Sequence, residues 1–151
     1  MKIILVCSTG GHFRTLKQLH PFWGKYNHCW VTFRTTPTET ALLGSKVYWA
    51  WSPTNRNLPN LVRNFFLAWK VISQERPQLV ISTGAGVAVP FLILAKLFGS
   101  KTAFVESITR VEKLSLSARL SLPFLDALYV HWPQLQANYP KAKLIAPQLE
   151  A

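Results

Sequence analysis

Acidic side chains are scarce in this sequence: six Asp and Glu stand against seventeen Lys and Arg in 151 residues, a formal charge of +11. No paired-carboxylate or Ser-His-Asp arrangement stands out, and no Asp-x-Asp motif offers a divalent cation a seat. Cysteine is scarcer still. Cys7 and Cys29 fall within or beside expected buried strands and read as core thiols of a reducing cytoplasm, not as a disulfide framework or metal site. His20 and His28 have no ligand spacing with the cysteines or the acids, so no metal is expected. Long apolar runs are missing too. The longest, 87–98, has about twelve residues and is broken by Pro90 and Lys96, whereas a spanning helix needs roughly 20. The opening Lys2–Cys7 is apolar but lacks signal-peptide architecture, since Gly10-Gly11 comes too early and no small-residue cleavage site follows. Neither a membrane crossing nor a leader is expected, and there is no repeat, linker or low-complexity segment.

Hydrophobic residues nevertheless make up 49% of the chain, with six Trp and nine Phe. That supports a core for one domain over residues 1–151. It is also more aromatic surface than one small core hides, so an apolar surface patch is expected. The cationic surplus calls for an anionic partner: nucleic acid, a phosphorylated ligand or the anionic face of a membrane. Each basic residue near such a leaflet contributes about 1 kcal/mol. No nucleic acid is expected, because no reading motif is present and the aromatics follow buried periodicities instead of alternating with basic residues.

Periodicity predicts strands at 2–7, 28–33, 46–50, 78–82, 102–105 and 127–130, with a last short one at 143–145. Helices are expected at 13–22, 39–43, from about Asn57 to before Pro77, 89–98, 115–120 and 134–138. In the long helix Leu58, Leu61, Phe65, Trp69 and Ile72 are spaced to form the buried face. Arg63 and Lys70 lie almost above one another, with Arg56 continuing their line. Strands alternating with helices imply a Rossmann-like three-layer αβα domain, class α/β, with a mainly parallel sheet.

In such sheets ligands bind beyond the C-terminal strand ends. Four segments fall there. Ser8-Thr9-Gly10-Gly11-His12 follows the first strand; its glycines let a backbone approach a ligand and the next helix offers free amides to an anion. It is neither a Gly-x-Gly-x-x-Gly fingerprint nor a Walker loop, and a tight strand-to-helix turn is the alternative. Thr83-Gly84-Ala85-Gly86 repeats the logic after the fourth strand, and two such turns together suggest a crevice for phosphate or sugar. After the fifth strand, Glu106 is a candidate to accept sugar hydroxyls or orient a catalytic group, and Arg110 to pair with phosphate. The alternative is a Glu–Arg pair that shapes a loop. His131 and Trp132 are read as closing the sixth strand onto the core, with stacking on or hydrogen bonding to a ligand as the alternative. His12 is the candidate general base, since imidazole titrates near neutral pH; a hydrogen bond to phosphate is its competing role.

These segments carry a resemblance. Ser8-Thr9-Gly10-Gly11-His12 and Thr83-Gly84-Ala85-Gly86-Val87-Ala88-Val89-Pro90 resemble the two glycine-rich turns of MurG-type glycosyltransferases. Glu106-Ser107-Ile108-Thr109-Arg110-Val111, Leu114-Ser115, Pro123, Asp126, His131-Trp132-Pro133 and Tyr139-Pro140-Lys141-Ala142 are similar to one subfamily, the acceptor-side subunit of the two-subunit UDP-N-acetylglucosamine transferase of lipid-linked oligosaccharide synthesis. Its bacterial relatives are of the PssD and CpsF kind. The resemblance implies the N-terminal half of a split GT-B fold, in an inverting transferase whose UDP-sugar is held mainly by a separate donor-binding subunit. No other cofactor is implied. Ser8, Thr9, Gly10, Gly11, Thr83, Gly84, Ala85, Gly86 and Arg110 would meet a polyprenyl-diphosphate-linked saccharide, with His12 and Glu106 as catalytic candidates. Eukaryotic members carry a spanning segment ahead of the first strand. This chain opens on that strand, so peripheral attachment to the cytoplasmic face of an anionic membrane is expected, through Arg56, Arg63 and Lys70 with exposed aromatics and the 89–98 helix, for which ordinary core is the alternative. A non-catalytic anchor for the partner is the alternative function.

Overall fold

The computed structural model describes residues 1–145. Seven parallel strands form one sheet in the order β3-β2-β1-β4-β5-β6-β7. They are β1 Lys2–Cys7, β2 Asn27–Phe33, β3 Val47–Ala50, β4 Leu79–Gly84, β5 Lys101–Val105, β6 Ala127–Val130 and β7 Lys143–Leu144. The helices are α1 Gly11–Gln18, α2 His20–Trp23, α3 Thr36–Ala41, α4 Leu58–Glu75, α5 Ala88–Leu97, α6 Leu116–Ser121 and α7 Pro133–Asn138. The single helix expected over 13–22 is two, divided at Leu19, because Pro21 starts a new turn rather than continuing the old one.

Alternation along β1 divides the core. Ile3, Leu5 and Cys7 pack with Phe13, Leu16, Trp23, Trp30 and Leu42 on one face. Ile4 and Val6 pack with Ala68, Val71, Ile72, Phe91, Leu92, Ala118 and Leu135 on the other. Helices therefore cover both faces, as parallel pairing requires. Both cysteines are core thiols; burial pushes each up to about 12, with the Glu75 charge adding to the effect at Cys29.

The long helix corrects an expectation. Ile72 faces inward, but Leu61 and Phe65 are half-buried, while Leu58 and Trp69 are 69% and 59% exposed. Asn60, Asn64, Ala68, Val71 and Glu75 take the inner face instead. The polar ones are partnered there. Glu75 lies between Lys2 and Lys46, and Tyr48 Oη donates to its Oε1 at 2.6 Å. The 89–98 helix is corrected in the other direction. Val89, Pro90, Phe91, Leu92 and Ala95 are core, and its last residues, Lys96, Leu97 and then Phe98, stand out into solvent.

Candidate functional site

The strand order turns outward in opposite directions from β1 and β4, which lie side by side. The crevice of such a sheet opens at that switch point, above the C-terminal strand ends. Both glycine-rich turns are there. Ser8 N donates to Gly84 O at 2.8 Å, joining them directly.

His12 and Thr83 lock the two turns together. Thr83 Oγ1 donates to His12 O at 2.6 Å, and His12 Nδ1 lies 2.7 Å from Thr83 O. A carbonyl oxygen only accepts, so Nδ1 carries the proton and the neutral ring holds its lone pair on Nε2. The hydrogen bond thus fixes both ring orientation and tautomer, in the sense a general base needs. The ring stacks close above Gly84. A Cβ there would meet His12 Cε1 and Nδ1 at 3.0 Å, and the φ of +107° is itself a glycine conformation. At Gly86 a Cβ would meet Thr54 Oγ1 at 3.1 Å and Thr54 Cβ at 3.2 Å, so the β3–α4 loop presses on the second turn.

Anion-binding capacity comes from main-chain amides. α1 has no acidic residue in its first turn and no side-chain cap, so its leading N–H groups have no helix acceptor. In α5 the first turn likewise carries no acid. The sequence-selected Ser8, Thr9, Gly10 and Gly11 thus adjoin Thr83 and Gly84 with His12 between them, while Ala85 and Gly86 continue the second turn toward Thr54.

Glu106 and Arg110 behave differently. Glu106 is 1% exposed. Its Oε1 accepts from Ser107 N at 2.9 Å, and its Oε2 from Ser115 N and Oγ at 2.8 and 2.9 Å. The carboxylate is committed to the β5–α6 loop by three donors. In place of the alternative, a loop-shaping pair with Arg110, the partners are Ser107 and Ser115, and Arg110 projects from the exposed part of the loop with no ion pair among the described residues. Trp132 Nε1 donates to Ile108 O at 2.6 Å and Asn138 Nδ2 to Glu112 O at 2.9 Å, so this loop is tied to α7 from outside as well. Trp132 is exposed and ties the loop rather than closing the strand onto the core.

Arg56, Arg63 and Lys70 are exposed, as their spacing implied. Beside Arg63 and Lys70 runs an apolar stripe of Val62, Phe66 and Trp69, with Leu58 before them; of these, periodicity assigned Leu58 and Trp69 to the core. Phe66 is 75% exposed. Trp69 meets Phe98 edge-on at 5.1 Å between ring centroids. Val62, Phe65, Phe66, Trp69 and Leu94 line a groove of about 590 Å³. A second hollow, about 650 Å³, lies at the N-terminal end of β6 beside Asp126 and Tyr139, at the opposite end of the strands from the glycine turns. No helix among the described residues is long and apolar enough to cross a membrane.

Periodicity missed the asparagines. Asn57, Asn60 and Asn64 recur at helical spacing on the face of α4 turned toward the crevice loop. Three asparagines in eight residues at helical spacing, one of them at the N-cap position, are the signal that could have found them.

Residues 52–147 match the family model described as oligosaccharide biosynthesis protein Alg14 like. The UDP-N-acetylglucosamine transferase subunit of Yarrowia lipolytica is 34% identical over 86 residues, 53% of this chain and 40% of that protein. The Homo sapiens subunit is 34% identical over 87 residues, 54% and 40% of the two chains. The chain thus matches about two fifths of the length of these relatives. In structure it is similar to Acinetobacter baumannii MurG, with a TM-score of 0.69 at 16% identity over 97% of this chain and 44% of that one. It is also similar to the UDP-GlcNAc 2-epimerase of Neisseria meningitidis, with a TM-score of 0.74 at 12% identity, covering 95% and 45%.

Proposed function

The chain belongs to the Alg14-like family of oligosaccharide biosynthesis proteins, and we propose that it is the acceptor-binding, membrane-associating part of a two-part inverting glycosyltransferase. The acceptor is a polyprenyl-diphosphate-linked saccharide; a separate subunit holds the UDP-sugar. The observation that carries this reading is the pairing of the two glycine-rich turns with His12 fixed between them, its Nδ1 proton on Thr83 O and its Nε2 without a hydrogen-bond partner among the described residues.

The chemistry follows from that arrangement. Unpaired amides at the start of α1, and the glycine backbone at Gly84 and Gly86, receive the diphosphate without needing a cation. His12 Nε2 takes the proton of the acceptor hydroxyl as that oxygen attacks the anomeric carbon, and UDP leaves on the partner's side. Glu106 acts one step back, as a positioning residue that holds the β5–α6 loop and with it Arg110. The exposed stripe of α4, edged by Arg63 and Lys70 with Arg56 beyond, lays the domain on the cytoplasmic face of an anionic bilayer, where the lipid tail of the acceptor already resides.

The test is sugar transfer to a polyprenyl-diphosphate-linked saccharide, by this chain together with the donor-binding subunit. We expect activity only from the pair, and a loss of roughly a hundredfold or more in His12→Ala. Full activity in His12→Ala would leave the chain as an anchor without chemistry, a reading that the apolar stripe alone supports.

A further inference from the structure

Helix α4 faces two ways. Its outer side is the apolar stripe; its inner side, in the first half, is a row of asparagines that hold the β3–α4 loop. Asn57 Oδ1 caps the helix by accepting from Asn60 N at 3.0 Å. Asn60 Nδ2 donates to Pro53 O at 2.8 Å. Asn64 bonds both main-chain groups of Trp51, accepting from its N at 2.9 Å and donating to its O at 3.0 Å, as a neighbouring strand would. Arg63 donates to Asn60 Oδ1 at 3.0 Å and stacks on the Trp51 ring, 5.0 Å from its centroid. Asn60 and Asn64 are buried, 5% and 1% exposed, so their amides have little water to turn to. Between these anchor points stands Thr54, in van der Waals reach of the place a Gly86 side chain would occupy.

We infer that the loop of residues 51–57 is a fixed wall of the acceptor crevice, with Asn60 and Asn64 as its positioning residues and Thr54 as the residue that limits what fits over Gly86. The inference rests on the reading of that crevice as an acceptor site. Three side-chain bonds of these buried amides are aimed at one loop, Asn60 Nδ2 at Pro53 and both Asn64 groups at Trp51, and a displaced loop would leave those polar groups dry. The same helix also carries the stripe assigned to the bilayer. Loop and lipid contact are thus opposite faces of one rigid element, and the wall is registered to the membrane surface.

The experiment uses the full chain and, as probe, a soluble farnesyl-diphosphate-linked N-acetylglucosamine. Equilibrium binding is measured for wild type, Asn64→Ala, Asn60→Ala, Gly86→Ala and the double variant Gly86→Ala/Thr54→Gly, with flotation on anionic vesicles in parallel. Asn64→Ala and Asn60→Ala should bind the probe at least tenfold more weakly while floating as wild type does. Circular dichroism and thermal melting show that they remain folded. Gly86→Ala should weaken binding by pushing Thr54 away, and Thr54→Gly in the same chain should restore it. Unchanged probe binding in both asparagine variants would overturn the inference, as would a double variant no better than Gly86→Ala alone. Failure of wild type to bind the probe would instead remove the acceptor reading itself.

Discussion

A single hydrogen bond decides what His12 can do. With Nδ1 held on a carbonyl, the ring has one orientation and one neutral tautomer. Gly84→Ala attacks that geometry directly: the new Cβ meets the ring at 3.0 Å on a backbone at φ +107°. The strain is roughly 1–3 kcal/mol, and the ring must move to make room. We expect a lower melting temperature by calorimetry and a loss of transfer comparable to that of His12→Ala. Glu106→Gln makes a different defect. One amide proton would confront Ser107 N or the Ser115 donors in a buried site, a cost of about 1–3 kcal/mol. Kinetics should show a raised acceptor KM with kcat less affected, since the loop and Arg110 are displaced but His12 is not.

Helix α4 tests the membrane contact as an element. Phe66 and Trp69 are the exposed centre of its stripe. Burying one such side chain contributes about 1.5–3 kcal/mol, so Phe66→Asp/Trp69→Asp should lower the vesicle partition coefficient at least tenfold. Circular dichroism of the free domain should be unchanged, because neither residue belongs to the core. The order of the elements could be read in advance: uninterrupted β-branched and aliphatic runs such as Lys2–Cys7 leave little choice, and Pro59 and Pro77 bracket α4. The rotation of α4 could not. Leu58, Trp69 and Phe66 have the hydropathy of core residues, whereas Asn60, Asn64 and Glu75 become inward only through partners distant in sequence, at Trp51, Pro53, Lys2 and Tyr48. Periodicity registers hydropathy, not those partners. In the site the same division holds. The glycine turns announce themselves by residue type, while the occupied carboxylate of Glu106 depends on Ser115, nine residues on.

For the molecule as a whole, charge sets two dependences. The +11 surplus adds a long-range attraction to anionic bilayers that salt removes. Raising ionic strength from 0.1 to 1 M shortens the screening length from about 10 to 3 Å, so vesicle binding should fall to the part that the apolar stripe supplies. Stability carries the second dependence. Burial would raise the carboxyl of Glu75, but hydrogen bonds from Lys2, Lys46 and Tyr48 outweigh it and hold the group at about 2, against an ordinary value of 4.5. A carboxyl depressed by folding stabilises fully above its unfolded value. That contribution, about 3 kcal/mol, is lost as pH falls from about 4.5 toward 2. In Glu75→Gln the acid limb of the denaturation profile should flatten over that window.

Equilibrium binding to the purified chain is the most direct measurement of the division of labour proposed for the two turns. Farnesyl-diphosphate-linked N-acetylglucosamine and UDP-N-acetylglucosamine would be titrated separately, then in competition. Saturable binding of the first, weakened in Gly84→Ala, with binding of the second at least a hundredfold weaker, is the predicted result. Tight UDP-N-acetylglucosamine binding that excludes the prenyl ligand and depends on His12 would place the donor in this crevice and contradict the assignment of the acceptor to it.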